Sequence, residues 1–322
     1  MTPSQKRPSR PVKKRLVFNN LKQYTLLWMK PIRLAQISDF HITHLTWNPL
    51  RLFSKRFLGN LNWLFSRKGI FSTEAIDALP SFLSSLQLDH ILLGGDFTTT
   101  SLPEEFRLAR AFVDKLPAPW IAIPGNHDQY TYRAYRQKRY YQSLSNPREA
   151  IRERTDFFNL SDHGLEAHRL APKWWLIALD TTRATNLYSS RGFFSPKLEE
   201  RLNELLSMIP SDHSILLLNH YPFFQNVTVR HSLSRGNALE ALLRKEPRIK
   251  AYLHGHSHRH TIADLQPSNL PLILDGGACA EGTWNLLTID EKQIKIDVYR
   301  WKNSWQLDRT EEIAWNRGLQ KG

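Results

Sequence analysis

One cysteine, Cys279, three methionines and no uncharged apolar run approaching the roughly 20 residues of a spanning helix are what this 322-residue chain has to offer for stapling or membrane crossing. A lone thiol closes no internal bridge. A disulfide scaffold is therefore excluded, no disulfide partner is expected, and the cysteine usage fits a reducing cytoplasm. Glycine and proline, at 14 and 18 residues, exclude collagen-like and low-complexity chains. The basic N-terminus runs into LVFNNLKQYTLLWMK, too short and too interrupted for a signal-peptide core. With 41% apolar and 23% charged residues, the chain can bury a substantial core without metals or bridges.

Acids are scarce too, but only at one end. Residues 1–73 hold fourteen Lys or Arg against a single acid, Asp39, and so carry +13 of the formal +14. Charge this local reads as a surface for an anionic partner. Residues 1–15 read as a solvated basic tail within an N-terminal extension spanning 1–31. Residues 32–322 read as one domain with insertions at 44–72 and 129–172. In the first insertion, WNPLRLFSKRFLGNLNWLFSRK (47–68) combines ten large apolar residues with five cations and no acid. On a helical wheel Leu50, Phe53, Phe57, Leu58, Leu61, Leu64 and Phe65 share an arc about 140° wide, with Arg51, Lys55, Arg56 and Arg67 outside it. That pattern predicts an amphipathic helix, or two hinged at Gly59-Asn60, lying on an anionic membrane surface with Trp47 and Trp63 as anchors. Its alternative is a face packed on the chain's own core.

From residue 31 onward short apolar runs alternate with amphipathic ones. Strands are expected at 32–38, 90–95, 120–125, 174–180, 214–220, 250–255 and 271–277, and helices at 73–86, 103–116, 196–208 and 237–245. WNLLTID and IKIDVYRW predict a C-terminal hairpin. The class is α/β with much of the sheet parallel.

The strand ends carry the chemistry. Ser38-Asp39-Phe40-His41, Gly94-Gly95-Asp96, Gly125-Asn126-His127-Asp128, Asn219-His220 and His254-Gly255-His256-Ser257-His258 each follow a predicted strand. In an open α/β sheet ligands bind at the carboxyl ends of strands. A lone histidine or aspartate in any of these loops is most simply a hydrogen-bonded turn residue, but five such ends deliver imidazoles and carboxylates to one rim. Oxygen and nitrogen donors without thiolate suit Mn²⁺, Fe²⁺ or Zn²⁺, and their number suits two divalent ions better than one. His44, His90, His163, His168, His213, His231 and His260 read as surface or packing residues, and Cys279 as a small buried side chain. His254 stands beside the last cluster, where support of a ligand is a reasonable role.

The ordered set D-x-H, G-D, G-N-H-D, H and G-H-x-H resembles the calcineurin-like metallophosphoesterases, over residues 32–290. The resemblance implies a double β-sandwich flanked by helices (α/β/β/α), here with the amphipathic insertion after the first strand. It implies that Asp39, His41 and His258 bind one metal ion, that Asn126, His220 and His256 bind a second, and that Asp96 bridges them. His127 then matches the catalytic histidine and Asp128 the residue that orients it. Such a pair of ions, Mn²⁺ being expected, activates water and neutralises charge on phosphoryl oxygens.

The run GGDFTTT lacks the longer signature of the protein phosphatases. The apolar, cationic segment next to Asp39-x-His41 suggests an acylated phosphate substrate. In layout the chain is similar to the membrane-associated UDP-2,3-diacylglucosamine pyrophosphatases of lipid A biosynthesis. That likeness implies hydrolysis of UDP-2,3-diacylglucosamine to 2,3-diacylglucosamine 1-phosphate and UMP by a cytoplasmic enzyme, peripheral on the inner face of the cell membrane. Arg133, Arg136 or Arg139 would cover the nucleotide, or form a solvated cationic helix. The alternative is a phosphodiesterase of nucleic acid or cyclic nucleotides.

Overall fold

The computed structural model describes residues 30–44, 72–146, 158–186, 189–224 and 228–316. Its strands are β1 (Ile32–Ile37), β2 (His90–Leu93), β3 (Trp120–Ala122), β4 (Leu165–Ala171), β5 (Trp174–Leu179), β6 (Gly192–Phe193), β7 (Ser214–Leu218), β8 (Leu233–Ser234), β9 (Ile249–His254), β10 (Thr261–Asp264), β11 (Leu272–Asp275), β12 (Thr283–Ile289), β13 (Gln293–Trp301) and β14 (Trp305–Ala314). Its helices are α1 (Thr73–Leu83), α2 (Pro103–Val113), α3 (Tyr132–Arg136), α4 (Arg139–Ser143), α5 (Leu160–His163), α6 (Pro196–Met208) and α7 (Gly236–Lys245). Two six-stranded sheets form, in the orders β14-β13-β12-β1-β2-β3 and β10-β11-β9-β7-β5-β4.

Alternation along the strands dictates the layering. Side chains of a strand point to opposite faces in turn, so a strand apolar at every position must be covered on both. Leu34 and Leu92 of the first sheet meet Leu176, Leu216, Leu218 and Leu253 of the second, filling the space between the sheets. Their neighbours Ala35, Ile37, Ile91 and Leu93 face outward and join a cluster with Leu79 and Leu83 of α1 and Phe106 and Ala109 of α2. On the far side Ile177, Ile215 and Leu217 join Leu198, Leu202 and Leu205 of α6 and Leu239 and Leu243 of α7. The result is the expected α/β/β/α sandwich. Helix starts follow the sequence signals: Ser72 and Ser195 accept hydrogen bonds from the amides of Ala75 and Leu198, and prolines occupy the first turns of α2 and α6.

The parallel neighbours β1-β2-β3 in one sheet and β5-β7-β9-β11 in the other set their C-terminal ends on a common rim. Among the described strands β4, β6, β8, β10 and β14 escape the sequence reading, and the two longest of them show why. β4 pairs antiparallel with β5, yet its Glu166 and His168 are buried against each other at 2.9 Å, two polar residues that disguise a buried strand. β14 extends the C-terminal hairpin into a three-stranded meander, and most of its residues are exposed, so it lacks an apolar run. The described part of the 129–172 insertion forms α3, α4, α5 and β4. The amphipathic reading of 47–65, including Phe53, Phe57 and Leu61, lies outside the described residues, as do residues 1–29. Among the described residues no helix is long and apolar enough to cross a membrane.

Leu216 is fully buried between the sheets. Leu216→Ala is expected to lower stability by about 2–5 kcal/mol in urea denaturation, through lost burial and a residual cavity. Leu307→Ala, at a position 53% exposed on β14, should change it by less than about 0.5 kcal/mol.

Candidate metal centre

The five predicted loops converge. Backbone hydrogen bonds lace the loop after β1 to the loop after β2: Asp39 N–H donates to Gly95 O at 2.9 Å, His41 N–H to Asp96 O at 2.9 Å and Ile42 N–H to Phe97 O at 2.8 Å. The loop after β9 joins through Gly255 N–H to His220 O at 3.2 Å and through His256 N–H to Asp39 Oδ2 at 3.1 Å. Asp39, His41, Asp96, His256 and His258 all have positive φ, from 49° to 69°. Non-glycine residues enter that left-handed region rarely, at a cost of order 1–3 kcal/mol each where the surroundings force it. Five such residues in one cluster mark a place where side-chain direction outranks backbone comfort.

The motif glycines have a steric reason. A Cβ on Gly125 would stand 2.1 Å from Asp96 Oδ1, and one on Gly255 would stand 2.3 Å from Asp39 Oδ2 and 2.4 Å from Ser38 Oγ. Each glycine makes room for a carboxylate.

Among the described residues three groups could hold a cation, each with its donor atoms within 4.8 Å of one another: Asp39/His41/His258, His41/Asp96/His127 and Asp96/His220/His256. Asp39 Oδ2 accepts from Ser38 Oγ at 2.6 Å and from the His256 amide, while Oδ1 is buried, receives no well-directed hydrogen bond, and faces His258 Nε2 at 3.3 Å and His41 Nε2 at 3.8 Å. The two Nε2 atoms themselves lie 3.0 Å apart. Asp96 divides its oxygens likewise. Oδ1 accepts from the His127 amide at 2.8 Å, and Oδ2 faces His220 Nε2 at 3.4 Å and His41 Nε2 at 4.0 Å. His220 Nε2 also meets Asn126 Oδ1 at 3.2 Å. Imidazole nitrogens and carboxylate oxygens aimed at shared points, with no sulfur among them, fit divalent cations of the Mn²⁺–Zn²⁺ series.

Tautomers are set from outside the cluster. His220 Nδ1 lies 2.8 Å from Gly94 O and His256 Nε2 lies 2.7 Å from His231 O, and a carbonyl can only accept, so each of these nitrogens carries a hydrogen and each ring turns its other nitrogen toward the cluster. His231, read from sequence as surface or packing, thus serves the site through its backbone. Electrostatics favour ionised carboxylates. Burial alone would push the Asp39 carboxyl up, but the imidazoles of His258 and His220 beside it outweigh burial and hold it below the usual range. Burial of Asp96 is likewise outweighed by His220, His127 and His41. In return, the carboxylates of Asp96 and Asp39 overcome burial at His220 and raise its pKa to about 9, whereas burial and the neighbouring His220 push His256 down to about 3. His127, His256 and His258 are half-buried, which leaves the rim approachable on their side.

Asp128 departs from expectation. Its carboxylate accepts from the amides of Phe97, Thr98 and Gly125 at 3.2, 2.9 and 2.9 Å and from the Thr98 hydroxyl at 3.1 Å, and none of its bonds reaches the His127 ring. The ring is held by Thr99 O, 2.7 Å from Nδ1, and by Tyr130, stacked at 5.3 Å. Asp128 acts one step removed, by shaping the 97–99 loop that presents that carbonyl. Burial and the charge of Asp96 raise its pKa to about 7. Ser38, Thr99 and Tyr130 carried no sequence signal, because two act through backbone or through one hydroxyl and the third through a ring face. His254 ends β9 buried, with Nδ1 3.3 Å from Asp275 Oδ2, behind the ligand loop.

Gly125→Ala drives a methyl group into Asp96. Mn²⁺ titration of this variant should show marked loss of affinity, and turnover should fall on the order of 10²-fold, the cost of about 1 Å of misplacement. Wild-type affinity would mean that the loop yields.

The sequence of residues 32–260 matches the profile of the calcineurin-like phosphoesterases. A 3',5'-cyclic-nucleotide phosphodiesterase of Nostoc sp. is 24% identical over 233 residues, 71% of this chain and 72% of that one. The 3',5'-cyclic adenosine monophosphate phosphodiesterase CpdA of Escherichia coli is 23% identical over 201 residues, 61% of this chain and 62% of its own, so the chain spans less than two thirds of that enzyme. The fold is shared with a dimetal phosphatase of Danio rerio at a TM-score of 0.61 and 13% identity, covering 88% of this chain and 99% of the other. Since the matched region spans most of the chain and contains the loops that carry Asp39, His41, Asp96, Asn126, His127, His220, His256 and His258, the chain belongs to the calcineurin-like phosphoesterase family, as a metal-dependent hydrolase.

Proposed function

We propose that the protein is a phosphodiesterase of 3',5'-cyclic nucleotides. The observation that carries the reaction type is Asp96 Oδ2, which faces His220 Nε2 at 3.4 Å and His41 Nε2 at 4.0 Å and so can serve two ions at once. The substrate class is supported by the Nostoc and Escherichia coli relatives, both named as cyclic-nucleotide phosphodiesterases.

In this reading Asp39, His41 and His258 hold one ion, Asn126, His220 and His256 the other, and Asp96 both, with Mn²⁺ the expected metal. When bound, the two cations supply Lewis acidity that activates water and neutralises charge building on the phosphoryl oxygens. The remaining work falls to the chain. Hydrolysis adds water across one P–O bond of the cyclic diester, and the departing sugar oxygen must take a proton. We assign that donation to His127. Thr99 O pins the hydrogen on Nδ1, leaving Nε2 to exchange a proton, and Tyr130 fixes the plane of the ring. Asp128 keeps Thr99 in place through the amides of Phe97 and Thr98.

A second reading, cleavage of UDP-2,3-diacylglucosamine at the membrane, is favoured by the apolar and cationic composition of residues 47–65, directly after His41. The relatives give it no support.

Purified protein with Mn²⁺ is to be offered cyclic AMP, UDP-2,3-diacylglucosamine, single-stranded DNA and bis(p-nitrophenyl) phosphate. Cyclic AMP hydrolysis without detergent is expected. Hydrolysis of the UDP-lipid alone, dependent on detergent and lost when Phe53, Phe57 and Leu61 become polar, would replace this reading by the second. Cleavage of DNA with steep salt dependence would point to a nuclease. His127→Ala should keep both ions and lose turnover by about 10²–10⁴-fold. Asp96→Ala should lose both ions.

A further inference from the structure

We infer that Glu281 is a positioning residue for the metal centre, whose carboxylate fixes the orientation and raises the basicity of His258 as a ligand. The inference rests on the assignment of Asp39, His41 and His258 to one ion. Glu281 Oε1 lies 2.7 Å from His258 Nδ1, while Nε2 of the same ring lies 3.3 Å from Asp39 Oδ1 and 3.0 Å from His41 Nε2. With the hydrogen of Nδ1 donated to the carboxylate, Nε2 is left as the electron-pair donor facing the cluster.

The partner's chemistry sets this ring apart. His220 and His256 donate their outer nitrogens to carbonyls, of Gly94 and His231. A carbonyl fixes the tautomer. A carboxylate also places negative charge behind the ring and strengthens it as a ligand. The two ions are therefore held unequally, and Glu281 acts on one of them.

Its placement is not incidental. The 3₁₀ turn Cys279–Glu281 is fastened to the first motif by Cys279 N–H to Ser38 O at 2.9 Å and Ala280 N–H to Asp39 O at 3.2 Å. It ends at Gly282, φ +76°, where a Cβ would stand 2.6 Å from Trp301 Cβ. One turn thus secures the backbone of Asp39 and supplies the partner of His258, two ligands assigned to the same ion. The turn lies beyond residue 260, outside the stretch that matches the family profile and outside every motif of the sequence.

The Glu281 side chain is 31% exposed, so its truncation buries no orphaned group. Glu281→Gln keeps an acceptor at the same reach and removes the charge, and Glu281→Ala removes both. The full-length chain, stripped with chelator, is titrated with Mn²⁺ by calorimetry, and the bound ions are followed by electron paramagnetic resonance. In Glu281→Ala one of two Mn²⁺ should bind about 10–100-fold more weakly while the other keeps wild-type affinity. Glu281→Gln should show a smaller loss at the same ion, and the metal-free melting temperature of both variants should be unchanged. Wild-type binding of both ions by Glu281→Ala would overturn the inference. So would equal weakening of both ions with a lowered metal-free melting temperature, the result of a purely structural strut. Fewer than two Mn²⁺ bound by the wild-type chain would instead overturn the two-ion reading itself.

Discussion

Two carboxylates, Asp39 and Asp96, are buried and held in their ionised form within a few ångströms of each other's imidazole partners. Charge removed from water must be compensated nearby, or the fold pays several kcal/mol for each group. The surrounding geometry answers that requirement. One oxygen of each carboxylate is satisfied by donors of the chain, Ser38 and the His256 amide for Asp39, the His127 amide for Asp96. The other oxygen points at imidazole nitrogens that a cation can join. The five positive-φ residues and the two glycines with no room for a Cβ follow from keeping those oxygens where they are.

The sandwich makes this possible because the site draws on both sheets. Asp39, Asp96 and the 126–128 loop follow β1, β2 and β3 of one sheet, whereas His220 and the 256–258 loop follow β7 and β9 of the other. The spacing between the two sets of donors is therefore governed by the inter-sheet layer of Leu34, Leu92, Leu216, Leu218 and Leu253. Packing density, which resists sub-ångström change, is converted directly into the placement of metal ligands.

Much of this was legible beforehand for a physical reason. Buried parallel strands are apolar at every position, and their ends are where polarity returns abruptly, so Asp39, Asp96, Asn126, His127, His220, His256 and His258 stand out against Leu and Ile. What stayed hidden acts through groups every residue has, or from afar in sequence. Thr99 O and His231 O hold imidazoles through carbonyls, and Glu281 reaches His258 across 23 positions. The role of Asp128 as the residue that orients His127 came only from the family resemblance. Its carboxylate instead gathers three amides of the neighbouring loops, which a motif match does not reveal. β4 was concealed by the buried Glu166–His168 pair and β14 by its exposed face.

The substrate is decided elsewhere than the chemistry. The rim at His127, His256 and His258 serves the phosphoester chemistry, and the choice among esters falls to the surfaces around it. Beneath that choice lies the claim that Asp96 serves two ions. Anomalous scattering from a crystal of the full-length protein grown with Mn²⁺ tests it most directly. The account predicts two peaks, one beside Asp39, His41 and His258 and one beside Asn126, His220 and His256, with an Asp96 oxygen between them. A single peak, or two peaks neither of which touches Asp96, would contradict it.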